Sequence, residues 1–171
     1  MTRLVQLIYV SRFVAGNRGV LSEMRSILTV ACAKNYREQL TGCLLFDREI
    51  FVQILEGEET KVSAAFQHIK CDPRHQGVRI LSDQPVAARS FPVWAMAGFV
   101  RSDANESLFR RYRFLTQKTT GRFESGRLLA LAHALVAAED ASVPVDVRST
   151  EPPPQMKRWP SWPDGHADLR S

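Results

Sequence analysis

Three polar side chains fall where the surrounding pattern calls for apolar ones. Tyr9 sits near the end of the strand-like stretch "LVQLIYV", Gln53 in the middle of "FVQILEG", and Asn35 on a helical stripe, four residues after Ala31 and seven after Leu28. Leaving a buried amide unpaired costs about 1–3 kcal/mol, so each needs a partner. They can satisfy one another or nearby backbone groups, or they can face a ligand. Together they point to one crevice, and a planar, mostly apolar ligand with a hydrogen-bonding rim would match it. A phenol and two carboxamides are hydrogen-bonding groups with both donating and accepting ends. They do not form a hydrolytic set. No nucleophile–base pair with a supporting third group is legible, and no metal-spaced cluster, which argues against an enzyme.

Positioning these residues takes a sheet and two helices. "RLVQLIYV" reads as a strand ending near Ser11, and residues 12–19 as a loop. From Val20 to about Glu38, Leu21, Met24, Ile27, Leu28 and Ala31 follow helical spacing. "LTGCLLF" and "IFVQILEG" read as strands joined by the turn "DRE". "ETKVSAAFQHIK" is a second helix, with Thr60 as its cap and Val62, Phe66 and Ile69 inward; "CDPRH" stops it. "GVRILSDQPVA" and "VWAMAGFV" finish the core near Val100. The order βαββαβ(β) predicts an α+β, ferredoxin-like fold with a five-stranded mixed sheet. In it the first and third strands are expected side by side and parallel at the centre.

Period-two alternation places Val5, Leu7 and Tyr9 on one face, with Phe51, Gln53 and Leu55. The opposite faces (Leu4, Ile8 and Val10; Val52 and Ile54) are apolar too, so both sides of the sheet need cover. Two helices cover one side. A C-terminal helical pair is expected on the other: "DANESLFRRYRFL", opening with an Asp103/Glu106 capping box, and "GRLLALAHALVAAED", with Leu128, Leu131, Ala132, Leu135 and Val136 on one face. The predicted organisation is a core over 1–100, a helical cap over 101–140 and a Pro-rich, disordered tail over 141–171 that carries Trp159 and Trp162.

Composition narrows the function. With 44% hydrophobic and 24% charged residues among 171, the chain has the profile of a soluble globular protein, and no apolar run approaches the ~18 residues of a membrane span. Cys32, Cys43 and Cys71 are odd in number and widely spaced, which reads as reduced core thiols in a cytoplasmic protein. The net charge of +5 is spread along the chain. Its densest cluster, Arg110, Arg111 and Arg113, is either a solvated helix face or a phosphate patch. A nucleic-acid-binding sheet needs exposed aromatics on its central strands, whereas "FVQILEG" offers one aromatic and an acid. A ferredoxin-like interaction module is the other competing class.

The stretches "LIYVS", "KNYREQLTG", "FVQILEG", "DPRH" and "RSFPVWAM" occur in the order and spacing of the BLUF family, the blue-light sensors that use flavin, and residues from about Leu4 to Phe99 resemble it. The resemblance implies a flavin held between the two core helices, FAD first and FMN or riboflavin as alternatives. It implies a photosensor that signals through its last strand and C-terminal helices to a protein partner, with self-association and no membrane. Matched position by position, Tyr9 is the photoactive tyrosine and Gln53 the glutamine between it and flavin N5/O4. Asn35 lies on the carbonyl/N3 edge and Arg74 near the C2 carbonyl. Trp94 and Met96 are the last-strand pair linked to output. Ser11 follows the tyrosine as the family pattern expects, or caps the loop, and His75 reads as a turn residue. Lys34 departs from the family, which often carries an amide or imidazole there; it reaches the O2 edge or points outward.

Overall fold

The computed structural model describes residues 2–14 and 20–142. Of the loop expected over 12–19, Arg12 and Phe13 belong to the first strand and residues 15–19 lie outside the described residues, as do the side chain of Leu21 and the expected tail from 143 onward with Trp159 and Trp162. The elements are β1 (Leu4–Phe13), α1 (Val20–Glu38), β2 (Thr41–Asp47), β3 (Ile50–Glu58), α2 (Glu59–Lys70), β4 (His75–Pro85), β5 (Ala97–Val100), α3 (Glu106–Arg111), α4 (Phe114–Thr120) and α5 (Ser125–Ser142).

One five-stranded sheet runs β4-β1-β3-β2-β5. Its β2–β5 pair is parallel and the other pairs are antiparallel, so the sheet is mixed, as expected. The expected parallel pairing of β1 with β3 is wrong. The crossover through α1 returns β2 in the direction of β1, and the turn after Asp47 then reverses the chain, so β3 enters between them antiparallel to both. Arg48 closes that turn at φ 57, a left-handed conformation that tight hairpins require. In the resulting register Tyr9 lies directly opposite Gln53.

The alternation holds. Val5, Leu7, Tyr9, Phe51 and Leu55 form one cluster with Met24, Leu28, Val62 and Phe66 of α1 and α2. Ile8, Val10, Val52 and Ile54 form the other, under Phe109, Phe114, Leu128, Leu131, Ala132 and Leu135. β3 is buried on both faces from Phe51 to Gly57, which accounts for its nearly continuous apolar run.

The C-terminal cover is three helices rather than a pair. Arg113 at φ 57 breaks the first expected helix into α3 and α4, and Phe109 and Phe114 on either side of the break pack edge to face at 5.2 Å. Two expected caps also differ. Thr60 lies inside α2 and its hydroxyl donates to Glu58, while α3 is preceded by Asn105 and Glu106 pairs with Arg101. The strand read from "VWAMAGFV" begins only at Ala97, so Trp94 and Met96 precede it. Cys43 is buried, Cys32 half-buried and Cys71 exposed, so only the first is a true core thiol. Sheet and cap are fastened by buried Asp47, which pairs with Arg101 at 3.1 Å and Lys118 at 3.6 Å.

Candidate functional site

Alternation along β1 and β3 turns Tyr9 and Gln53 onto the α1/α2 face, and the antiparallel register sets them opposite one another. Both are buried, and the Tyr9 hydroxyl donates to Gln53 Oε1. A register shift interrupts the β1–β4 pairing beside Tyr9, with Leu81 of β4 as the extra residue. Burial holds the Tyr9 phenol well above its ordinary pKa, and the nearby Asp72 charge adds to the effect. The group is therefore a neutral donor throughout the working range of pH.

The other end of Gln53 is less well satisfied. Its Nε2 lies 3.7 Å from Met96 Sδ, and a thioether is a weak acceptor. Two further contacts hold the same stretch before β5: Asn35 Nδ2 donates to the Ala95 carbonyl at 2.9 Å, and Cys32 Sγ to the Met96 carbonyl at 3.5 Å. Among the described residues nothing donates to Asn35 Oδ1. Gln53, Met96 and Asn35 are thus brought together around residues 95–96. Trp94 faces the opposite cluster, and its indole N–H is buried without a hydrogen-bond partner among the described residues.

A second group surrounds the other side of Tyr9. Arg74 grips Asp72 with two nitrogens, at 2.9 and 2.5 Å, and reaches Glu23 of α1 at 3.6 Å. That hydrogen bonding holds the Asp72 carboxyl below its usual range. Glu23 and Asn35 are twelve residues apart on α1, about 18 Å along its axis, so Arg74 is turned toward the opposite half of the helix from Asn35. His75 is not a turn residue but the buried first residue of β4. Its Nδ1 and the Ser11 hydroxyl are 2.8 Å apart, and its ring stacks on Phe51 at 4.8 Å. Burial lowers its pKa to about 4. Ser11 is accordingly a buried partner of His75 rather than a loop cap. Lys34 is exposed and has no partner among the described residues.

Sequence reasoning missed Glu23, Asp72 and Glu56. Asp72 stands two residues before Arg74 in "DPRH", a spacing that could have marked it as the local partner. Glu23 carries no such signal. Glu56 is a fully buried acid at a position the alternation assigns to the cap side, and a charge there in an apolar strand was a visible anomaly.

The donor set suits a flavin. Among the described residues the Gln53 amide N–H groups meet only a weak acceptor and the Asn35 oxygen meets no donor, and both residues are buried beside the apolar cluster under α1 and α2. A planar ring with carbonyl and N–H groups along one edge would complete both. Among the described residues no group of side chains could hold a metal ion, and no helix is long and apolar enough to cross a membrane.

Comparisons with known proteins bear on the same region. The family described as "Sensors of blue-light using FAD", BLUF, matches residues 4–97. The photoactivated adenylate cyclase subunit alpha of Euglena gracilis is 27% identical over 95 residues, which are 56% of this chain and 9% of that protein. The blue light- and temperature-regulated antirepressor BluF of Escherichia coli K12 is 34% identical over 70 residues, 40% of this chain and 17% of that one. This chain thus spans less than a fifth of the length of either relative. The dark-state structure of BlrB, a BLUF protein, superposes with a TM-score of 0.68 at 28% identity, over 79% of this chain and 98% of that one.

Proposed function

The chain belongs to the BLUF family, the sensors of blue light using FAD, and from that premise we propose that it is a blue-light photoreceptor whose switch is the Tyr9–Gln53 pair. Residues 1–100 are the sensor core, 101–140 a helical cap that receives the signal, and 141–171 a tail beyond it. The protein holds FAD non-covalently between α1 and α2, with FMN or riboflavin as lesser fits, and acts on a protein partner rather than on a substrate of its own. Its setting is the cytoplasm, as a homo-oligomer.

The observation that carries this reading is the Tyr9 hydroxyl donating to Gln53 Oε1 while the Gln53 amide nitrogen has only a thioether beside it. Bound flavin supplies blue-light absorption and, once excited, an acceptor for an electron. Tyr9 is the donor within reach. An electron taken from Tyr9 alone would leave a buried, strongly acidic phenol cation, so the phenolic proton would leave with it along the bond to Gln53 Oε1, while Gln53 Nε2–H would give a proton on to the ring, leaving no charge on the amide. A carboxamide has one accepting and one donating end, so turning it over exchanges what it offers to Tyr9 and to the ligand. Two arrangements of one side chain in one cavity give a bistable element. Asn35 holds the N3 edge of the ring with its free oxygen. Arg74 reaches a ring carbonyl only by releasing Glu23, the longer of its two ion pairs. Lys34 stays on the outer side of α1, and Ser11 acts through His75.

Output follows from Met96 and Trp94. Met96 Sδ is the atom beside the Gln53 amide that a turned Gln53 would meet, and the Trp94 indole, whose N–H has no partner among the described residues, is not fixed by a side-chain hydrogen bond. Both stand in the segment leading into β5 and the cap. The test is spectroscopic. The purified full-length protein should be yellow, blue light should shift its visible bands to the red, and the shift should decay in the dark. Bands that stay put on illumination would remove the basis for this reading.

A further inference from the structure

The segment before β5 is tied to the sheet by one buried carboxyl group, and we propose that Glu56 is the positioning residue that makes this segment, and the cap behind it, follow strand β3. The role rests on the reading of Gln53 as the photoactive glutamine.

Glu56 is fully buried on β3, three residues from Gln53 and on the opposite face. Its Oε1 accepts from Gln6 Nε2 and from the Ser90 backbone N–H, both at 2.8 Å. Its Oε2 accepts from the Phe91 N–H at 3.0 Å and from the Thr41 hydroxyl at 3.4 Å. The Glu56 backbone carbonyl takes a further bond from Arg89 at 2.6 Å. Side chain and main chain of one residue therefore hold three consecutive residues, Arg89 to Phe91. Phe91 in turn stacks on His133 of α5 at 5.0 Å, and three residues later comes Trp94, whose carbonyl accepts from Gly42 N.

The chemistry of the clamp is specific. All four groups that face the carboxyl oxygens are donors, and two of them are backbone amides that cannot change role. A carboxylate is acceptor-only and satisfies all four. A carboxamide of the same shape must set its own NH2 against an N–H. A displacement of β3 caused by a rearranged Gln53 is thus passed to Phe91, and through its ring to α5, without crossing the flavin face. Met96 reads Gln53 on one side of the sheet; Glu56 carries the strand's movement on the other.

The test uses the full-length flavin-loaded protein, comparing wild type with Glu56→Gln by absorbance and by hydrogen-exchange mass spectrometry in dark and light. The wild type should show a light-dependent change of exchange in residues 89–96 and in α5. In Glu56→Gln the red shift should be retained, exchange at Ser90 and Phe91 should be about fivefold faster already in the dark, and the light–dark difference in α5 should collapse. A merely structural role would lower stability and leave that difference in place, so its persistence overturns the proposal. Should Glu56→Gln fail to fold, Glu56→Asp carries the test. It keeps acceptor-only chemistry with a shorter reach, and should reduce the α5 difference at least about twofold with the shift unchanged; an unaltered difference again overturns the role. Absence of a red shift in the wild type would instead bring down the photosensor reading, and this role with it.

Discussion

At the scale of the residue, Tyr9 and Gln53 are separable from everything around them. Tyr9→Phe keeps the ring that packs 5.3 Å from Phe66 and removes only the donor to Gln53 Oε1. The variant is expected to bind flavin and stay yellow, to lose the light-induced red shift, and to be less stable by about 1–3 kcal/mol because a buried carbonyl loses its partner. Gln53→Leu should also abolish the shift while filling the volume with apolar atoms. Absorbance difference spectra with and without blue light check both, and a full shift in either would show that another group serves. Tyr9, Gln53 and Asn35 were legible in the sequence because each interrupts an apolar stripe, and a polar group in such a place has to answer for its desolvation. Arg74 was identified only by resemblance, and its Asp72 and Glu23 partners were not. The Asp72 pair could have been read from its two-residue spacing in "DPRH", but a long-range ion pair to a helix start obeys no period, so nothing in the sequence marks Glu23.

At the scale of the element, strand and helix periods gave the element order and the two buried faces of the sheet. Direction and breaks were harder to read. The antiparallel β1–β3 pair depends on a hairpin reversing after a crossover, a property of connection rather than of composition. The α3/α4 break at Arg113 has no Gly or Pro to announce it; a non-glycine residue adopts φ 57 because Phe109 and Phe114 both find places in the core. Close approach is a third matter. A Cβ on Gly42 would lie 1.9 Å from the Ile54 carbonyl oxygen across the β2–β3 pair, so Gly42→Ala has to push backbone apart. A loss of about 2–3 kcal/mol is expected, read as a lower urea midpoint at constant slope. Gly126→Ala in α5 meets nothing within 4 Å and should instead add roughly 0.5 kcal/mol. Equal effects of the two substitutions would contradict the packing described for β2.

At the scale of the whole molecule, one sheet separates a sensing cluster from a cap cluster, and the polar groups embedded in it tie stability to pH. His75 is the clearest case. It joins β4 to the Ser11 hydroxyl of β1, stacks on Phe51 of β3 and lies 6.3 Å from the Tyr9 ring. Burial is the main cause that lowers its pKa from 6.5 to about 4, the Asp72 charge opposing and the Arg74 charge adding to it. Between those values the unfolded chain binds the proton and the folded one does not, so stability rises with pH across this window. The contribution is complete above about pH 6.5 and is lost as pH falls toward 4, up to about 3 kcal/mol at 1.36 kcal/mol per unit. Asp72 acts in a separate window. Its folded pKa lies below 3.8, so the stability it adds is lost only at still lower pH. His75→Phe keeps an aromatic ring against Phe51 and removes the titration. Chemical denaturation of wild type and variant from pH 7.5 to 4 should give a marked loss of stability for the first and a much flatter profile for the second. Parallel profiles would mean that His75 is protonated in the folded protein, and that the core around Tyr9 admits a charge which its burial argues against.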